Sequence, residues 1–342
     1  MVAIIVPTMN RSSFIRRLLS YYSHSLYGST IYIADSSDDI LHIKAIKEAI
    51  TDVSHNLNVV YEHYPKTNIE EAKRLILHQV NEKYASYCGD DDFLIPSTLK
   101  KCAIFLDNNQ KYSNCHGTGV SFKIYDDSLF GIIQTASEYR LLANESDDPS
   151  LRLSSYLRNY WPIWTVRRVD EFKKTLGLLK TIPLEGCREI TMGCVPIIQG
   201  KTKLINDLYV MRQVHKNRFQ SHKSIVAFLS ESFHISYKEM HKIISNEIKN
   251  NTSKNKPETE NFVQQEFVNY FSRTTKASLC KKEDGFIRKL RALIRVNLPF
   301  SAKIYNKYLT RRLTLPKLRN RWSKHYNSEF NEVYEFLKKY NF

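Results

Sequence analysis

No stretch of this chain approaches the roughly 18–20 uninterrupted apolar residues needed to span a bilayer. Any membrane contact is therefore expected to be peripheral. Val2–Val6 is apolar, but it has no basic leader and is far shorter than a secretory h-region with its cleavage site. Glycine and proline are scarce, with 10 of each in 342 residues, which excludes collagen-like and Gly-rich linker architectures. The six cysteines, at 88, 102, 115, 187, 194 and 280, include no C-x-x-C pair. Zinc-ribbon and thioredoxin-like sites thus lack their defining spacing, and reduced, mostly buried thiols of a cytoplasmic protein are expected rather than a disulfide scaffold.

The composition is that of a globular protein, 42% hydrophobic and 12% aromatic, and the length suggests about two domains. Lys and Arg number 51 against 35 acids, a net charge of +16, which favours an anionic partner: nucleotide phosphates, nucleic acid or an anionic membrane. The excess is local. Residues 286–325 hold twelve Lys or Arg and no acid, leaving 39 bases against 35 acids elsewhere. In that segment Phe286, Ile287, Leu290, Leu293, Ile294, Val296, Leu298 and Phe300 interleave with the bases. One helical face would be apolar and another basic, which suits an anionic bilayer surface or a helical subdomain with a solvated basic face.

The first 135 residues alternate strand-like and helix-like segments. The buried-strand run Val2–Val6 is followed by a helical pattern over Ser12–Tyr22, with Phe14, Ile15, Leu18, Leu19 and Tyr22 on one face. Strands at Thr30–Ala34, Asn58–Glu62 and Tyr84–Cys88 then alternate with helices at Ile40–Thr51 and Ile69–Glu82. This order predicts a doubly wound, mainly parallel α/β sheet flanked by helices. A helix over Ser150–Tyr160, a strand at Ile163–Val166 and a helix over Arg188–Gln199 follow. Beyond Asn217 strands disappear, and helices over Lys223–Asn250 and Pro257–Ser278 are separated by the polar stretch Lys249–Lys256. The spacing divides the chain into an α/β domain, 1–217, and a helical, basic region, 218–342.

In doubly wound sheets ligands bind at the carboxyl ends of strands. Pro7–Arg11, Asp35–Asp39 and Gly89–Asp92 each follow a strand, so three distant loops are expected to line one crevice. Asp90, Asp91 and Asp92 are the sharpest feature. Adjacent carboxylates repel one another, and a divalent cation, Mg2+ or Mn2+, relieves that repulsion by taking oxygen ligands while bridging to substrate phosphates. A solvated Asp-rich turn is the alternative.

The residues Ile4–Arg11, Ile33–Ser37 and Tyr87–Pro96 together resemble nucleotide-sugar-dependent glycosyltransferases of the GT-A fold, most closely the family 2-like bacterial group that builds surface polysaccharides. The resemblance covers residues 1 to about 215. It implies that Pro7, Thr8 and Arg11 lie against the nucleotide and that Asp35 hydrogen-bonds the base, with capping of the next helix as its other role. It also implies that Asp90, Asp91 and Asp92 overlap a D-x-D-type metal motif, Asp92 and Asp91 being favoured as ligand and near-ligand. Gly89 stands where the family often has its first Asp. An inverting transfer needs a carboxylate base, and the matching stretch Glu185–Ile190 offers Glu189 first and Glu185 second, although either acid also suits a helix N-terminus. Arg212 would contact diphosphate and His215 would complete the metal site, surface placement being the alternative for both. Tyr160, Trp161 and Trp164 would form a sugar-stacking platform, with core packing the alternative for Trp164.

The resulting expectation is a metal-dependent, inverting glycosyltransferase. It would move a sugar from a nucleotide-sugar donor to a glycan or lipid-linked acceptor, in the cytoplasm or peripherally on the cytoplasmic face of the inner membrane. A nucleic-acid-binding protein using the basic region shows no matching motif and leaves the acidic clusters unexplained. A nucleotidyltransferase would need a Gly-rich basic first loop that Pro7–Arg11 does not supply.

Overall fold

The computed structural model describes residues 1–139, 142–159, 164–216, 231–274 and 327–339. Its centre is a nine-stranded sheet in the order β3-β2-β1-β4-β8-β6-β9-β5, with β7 beside β6. The four N-terminal strands are β1 (Val2–Thr8), β2 (Thr30–Asp35), β3 (Asn58–His63) and β4 (Tyr84–Tyr87), and they pair with one another in parallel. β1 is apolar along its length because it lies between β2 and β4 with both faces covered. The sheet continues through β8 (Val166–Arg168), antiparallel to β4, to β6 (Tyr112–Ile124). β9 (Lys201–Gln213) runs parallel to β6, β5 (Asp92–Leu94) is antiparallel to β9, and β7 (Ile133–Tyr139) is antiparallel to β6. The architecture is the mixed, mainly parallel sheet flanked by helices that the alternation implied.

Helices cover both faces. On one lie α1 (Ser12–His24), α2 (Ile40–Val53) and α4 (Pro96–Asn108); on the other lie α3 (Ile69–Leu77), α5 (Pro149–Arg158), α6 (Val169–Leu178), α7 (Glu185–Gln199), α8 (Glu231–Asn251) and α9 (256–274). Local chemistry sets several starts. Asp39 accepts from Leu41 N to cap α2, Asn68 accepts from Glu71 N to cap α3, and Asp148 caps α5, whose first residue is Pro149. Two helix boundaries differ from the periodicity by three residues or more. α3 stops at Leu77, where Gln79 N and Val80 N bond back to Ile76 O and Leu77 O in tightening turns. α7 starts at Glu185 rather than Arg188, because Cys187 N and Arg188 N already bond to Leu184 O. The strand read at Ile163–Val166 is Val166–Arg168. Residues 160–163, 217–230 and 275–326 lie outside the described ones, and with them the first part of the Lys223–Asn250 helix, the end of the Pro257–Ser278 helix and the basic segment.

The last described helix, α10 (Asn327–Lys339), packs into the core of the N-terminal sheet on the α1 face. Phe330, Val333 and Leu337 are buried, and Gly131 N donates to Leu337 O at 2.8 Å. Phe336 sits among four rings, with centroids 5.4 Å from Tyr21, 6.2 Å from Phe93, 6.0 Å from Phe130 and 6.4 Å from His24. The sequence-based boundary near 218 therefore separates segments of chain that share one hydrophobic core. The described cysteines, 88, 102, 115, 187 and 194, are free and buried. No helix among the described residues is long and apolar enough to cross a membrane.

Phe336→Ala should destabilise the protein by about 3–5 kcal/mol, the usual cost of deleting a buried ring. Denaturant unfolding of the full chain measures it, and a change below about 1 kcal/mol would show that α10 does not share the core.

Candidate active site

β1 and β4 lie side by side, so the loops after them meet. Cys88 N donates to Ile5 O, continuing the ladder, and Asp92 N donates to Gly89 O at 3.1 Å, closing a tight turn over Gly89–Asp92. Glycine at its head keeps the turn uncrowded: a Cβ at 89 would fall 2.8 Å from Asp91 Oδ1 and 3.2 Å from Asp92 Oδ2 and would push these carboxylates aside. The residue that departs from the family pattern is thus the one that leaves room for the next two carboxylates.

All three acids are buried, and each meets a different set of donors. Thr8 donates its hydroxyl to Asp90 Oδ2 at 2.8 Å. Arg11 forks between Asp90 Oδ1 (3.2 Å) and Asp91 Oδ2 (3.0 Å). The same Asp91 oxygen lies 2.9 Å from His215 Nε2. Arg212 donates from Nε to Asp92 Oδ2 at 3.0 Å. That contact follows from register, since Asp92 of β5 stands directly opposite Arg212 of β9. Thr8, Arg11, the three acids, Arg212 and His215 are therefore brought together, while Pro7 stays in β1 opposite Ala34.

Three neighbours, Arg17, Gln213 and Phe14, escaped the sequence reading of the site, and a fourth, Trp164, was expected only as part of a stacking platform. Arg17, wholly buried on α1, donates to Asp91 O at 2.9 Å, to Leu129 O and to Gln213 Oε1. Gln213 in turn donates to Ser128 O. The Phe14 ring lies 4.3 Å from the Arg11 guanidinium, 5.1 Å from that of Arg17, and stacks 5.1 Å from His215. Trp164, half-buried, lies 4.2 Å from the Arg212 guanidinium. The one available signal was Arg17 itself, a charge between Phe14 and Tyr21 on the helix face that carries the apolar residues. Tyr160 and Trp161, the other members of the expected platform, lie outside the described residues.

Asp35 is fully buried at the end of β2. It accepts from Ser37 N (2.8 Å), the Ser37 hydroxyl and the Tyr61 hydroxyl (2.8 Å). The capping of α2 falls instead to Asp39. Ser37 Oγ then accepts from Asn10 N, and Ser36 N donates to Thr8 O, tying this loop to the β1 loop. The two candidate bases are half-buried in the first two turns of α7. Glu185, its first residue, has a pKa raised by burial and by the charge of Glu70, with Lys73 and Arg188 opposing. Lys73 Nζ lies 2.6 Å from Glu70 and 4.9 Å from the ring centroid of Tyr87, two residues before Gly89.

Electrostatically the three acids divide. Burial would raise Asp91, but the His215 hydrogen bond and Arg11 hold it well below the usual carboxylate range. Asp90, deeper and beside the ionised Asp91, is raised by burial to about 7 despite Arg11. Arg17 is lowered to about 10 by burial and remains a cation at neutral pH. The arrangement presents a carboxylate and an imidazole together, with guanidinium groups around them, suited to a ligand that carries both phosphate and a divalent cation. Among the described residues no three His, Cys, Asp or Glu side chains are grouped to hold a metal ion.

No family model matches the chain, and no curated protein resembles it in sequence. Solved structures do. The S. aureus TarS 1-349 fragment in complex with UDP-GlcNAc is 18% identical, with a TM-score of 0.52 over 82% of this chain and 76% of that one. A longer S. aureus TarS structure is 17% identical with a TM-score of 0.49, covering 80% of this chain but 44% of its own, so this chain spans less than half of that protein. Glucosyl-3-phosphoglycerate synthase from Mycobacterium tuberculosis, in complex with Mn2+, UDP and glucosyl-3-phosphoglycerate, is 11% identical with a TM-score of 0.38 over 71% of this chain and 80% of that one. The fold is GT-A.

The raised pKa of Asp90 has a defined sign. Its unfolded value is about 3.9, so the native state holds the proton longer, and ionisation costs stability progressively as pH rises from about 4 through about 7. Asp90→Asn has no such cost. Its melting temperature relative to wild type should rise between pH 5 and pH 8, and a constant offset would remove the assignment.

Proposed function

We propose that the chain is a nucleotide-sugar-dependent, inverting glycosyltransferase assisted by a divalent metal. The observation that carries the reading is the shared Asp91 oxygen, held between His215 and Arg11 at the strand ends of a GT-A sheet. The TarS fragment of the same fold is solved with UDP-GlcNAc, which makes a uridine diphosphate sugar the first donor class to test.

The donor set suits a hard cation. Mg2+-type sites use one or two carboxylates and complete their shell with waters and substrate phosphate oxygens; Asp91 would supply one and Asp92, under Arg212, a second, with His215 beside them as a nitrogen donor. Bound there, a cation would neutralise charge on the departing diphosphate. Arg11 and Arg212, already aimed at the turn, would pair with phosphate oxygens. Pro7 and Thr8 would line the nucleotide. Asp35 would set Ser37 and Tyr61 in place beside the base.

The acceptor hydroxyl attacks the anomeric carbon, the carbon–oxygen bond to the diphosphate breaks, and the hydroxyl proton passes to a carboxylate. Of the two candidates, Glu185 has its affinity for a proton raised by burial and by Glu70, and it is the first to test. A glycan or lipid-linked acceptor of surface polysaccharide synthesis fits this role. The basic residues 286–325 support peripheral contact with an anionic cytoplasmic membrane face.

UDP or a UDP-sugar with Mn2+ should raise the melting temperature, and Asp91→Ala should abolish the metal-dependent part. Glu185→Gln should keep donor binding and lower kcat by about 10²–10⁴-fold; full activity in that variant would return the role to Glu189, and no shift with any nucleotide would sink the proposal. Replacing the twelve bases of 286–325 with Gln, which keeps α10 intact, should abolish co-sedimentation with anionic vesicles; unchanged binding would refute the membrane contact.

A further inference from the structure

The sheet face under α7 is apolar beneath its N-terminal strands, where Ala3, Ile5, Ala85 and Tyr87 point into the core. Beneath β6, β8 and β9 it is polar. Asn114 of β6 pairs with Arg167 of β8 and with Thr202 of β9, so the three side chains share this face. His116 and Thr165 follow at the alternation of two, and all five are buried. The second half of α7 and Tyr156 of α5 close over them, leaving a cavity of about 20 Å3. The closure is tight: a Cβ at Gly193 would fall 1.8 Å from the Tyr156 hydroxyl oxygen.

Arg167 is 2% exposed. It donates to the Thr175 hydroxyl at 2.7 Å and lies 4.4 Å from the Phe172 ring centroid. The acid in its field, Glu171, ion-pairs with Arg168 instead, at 3.3 Å. Among the described residues Arg167 Nε and Thr202 Oγ1 have no hydrogen-bond partner, and no Asp or Glu lines the cavity. Burial lowers Arg167 to about 10, so it is charged at neutral pH. A buried charge whose nearby acid is paired elsewhere is unfavourable, and Arg167 Nε and the Thr202 hydroxyl are the two lining donors left open.

We infer that this cavity binds a monovalent anion of halide size, held by the Arg167 guanidinium and the Thr202 hydroxyl. The volume matches about one water-sized occupant and is too small for phosphate or a carboxylate ligand. The site is separate from the Asp90–Asp92 cluster and braces the middle of α7, the helix whose first turn carries Glu185.

The test compares melting of the full chain in NaCl, NaBr and sodium gluconate at equal ionic strength. Halide should raise the melting temperature by on the order of 2–4 °C in a saturable way. Arg167→Met should lose the halide-specific part, and Thr202→Val should move its midpoint to higher concentration. Crystals soaked in bromide should show an anomalous peak within hydrogen-bond distance of Arg167. Should Arg167→Met fail to fold, Thr202→Val and the bromide peak decide. Coincident halide and gluconate curves with no bromide peak in the cavity would overturn the inference and leave water as the occupant.

Discussion

Three consecutive carboxylates buried at a strand end are the constraint around which this protein is organised. Side by side in a low-dielectric setting they cannot all be charged without compensation. The compensation comes from distant segments: Arg11 and Arg17 from the start of the chain, Arg212 and His215 from the end of β9. Each of these groups is in turn fixed by something else. Arg212 is opposite Asp92 by strand register and lies over Trp164, whereas Arg11 and His215 share the ring of Phe14. The acidic turn thus specifies how β1, β5 and β9 must meet.

The same turn is supported from behind by the C-terminal helix. Phe93 follows Asp92 directly, and its ring lies between the Arg17 guanidinium at 4.9 Å and Phe336 at 6.2 Å. Tyr21 and Phe130 complete the aromatic group. The C-terminal helix therefore reaches the acidic turn through one layer of aromatic contacts, and an appendage in composition is part of the core in packing.

Much of the site was legible because it uses local signals. The strand-end acids, Thr8 and Arg11 stand in short recognisable runs at predicted strand ends, and Arg212 and His215 in a run after the predicted helix over Arg188–Gln199. Arg17 and Gln213 were not, since their hydrogen bonds reach 112, 196 and 85 residues along the chain to Leu129, to each other and to Ser128. The polar patch under α7 was hidden for a related reason: Asn114, Arg167 and Thr202 come from three strands whose pairing order does not follow the sequence. The start of α7 was misplaced by three residues because the backbone bonds to Leu184 O set it, and side-chain spacing does not record them.

By itself, then, the sequence determined the parallel α/β core and the chemistry of the crevice, because apolar periodicity dictates which elements form and strand topology dictates where their polar ends converge. It also located the basic excess in 286–325. Only the tertiary structure decided which basic group meets which carboxylate and that a side chain at 89 would crowd two of those carboxylates. It likewise decided that α10 belongs to the N-terminal core and that Arg167 is buried without an acid. The physical reason is common to all four: side-chain pairing and burial depend on distances between residues tens to hundreds of positions apart, and periodicity constrains only near neighbours.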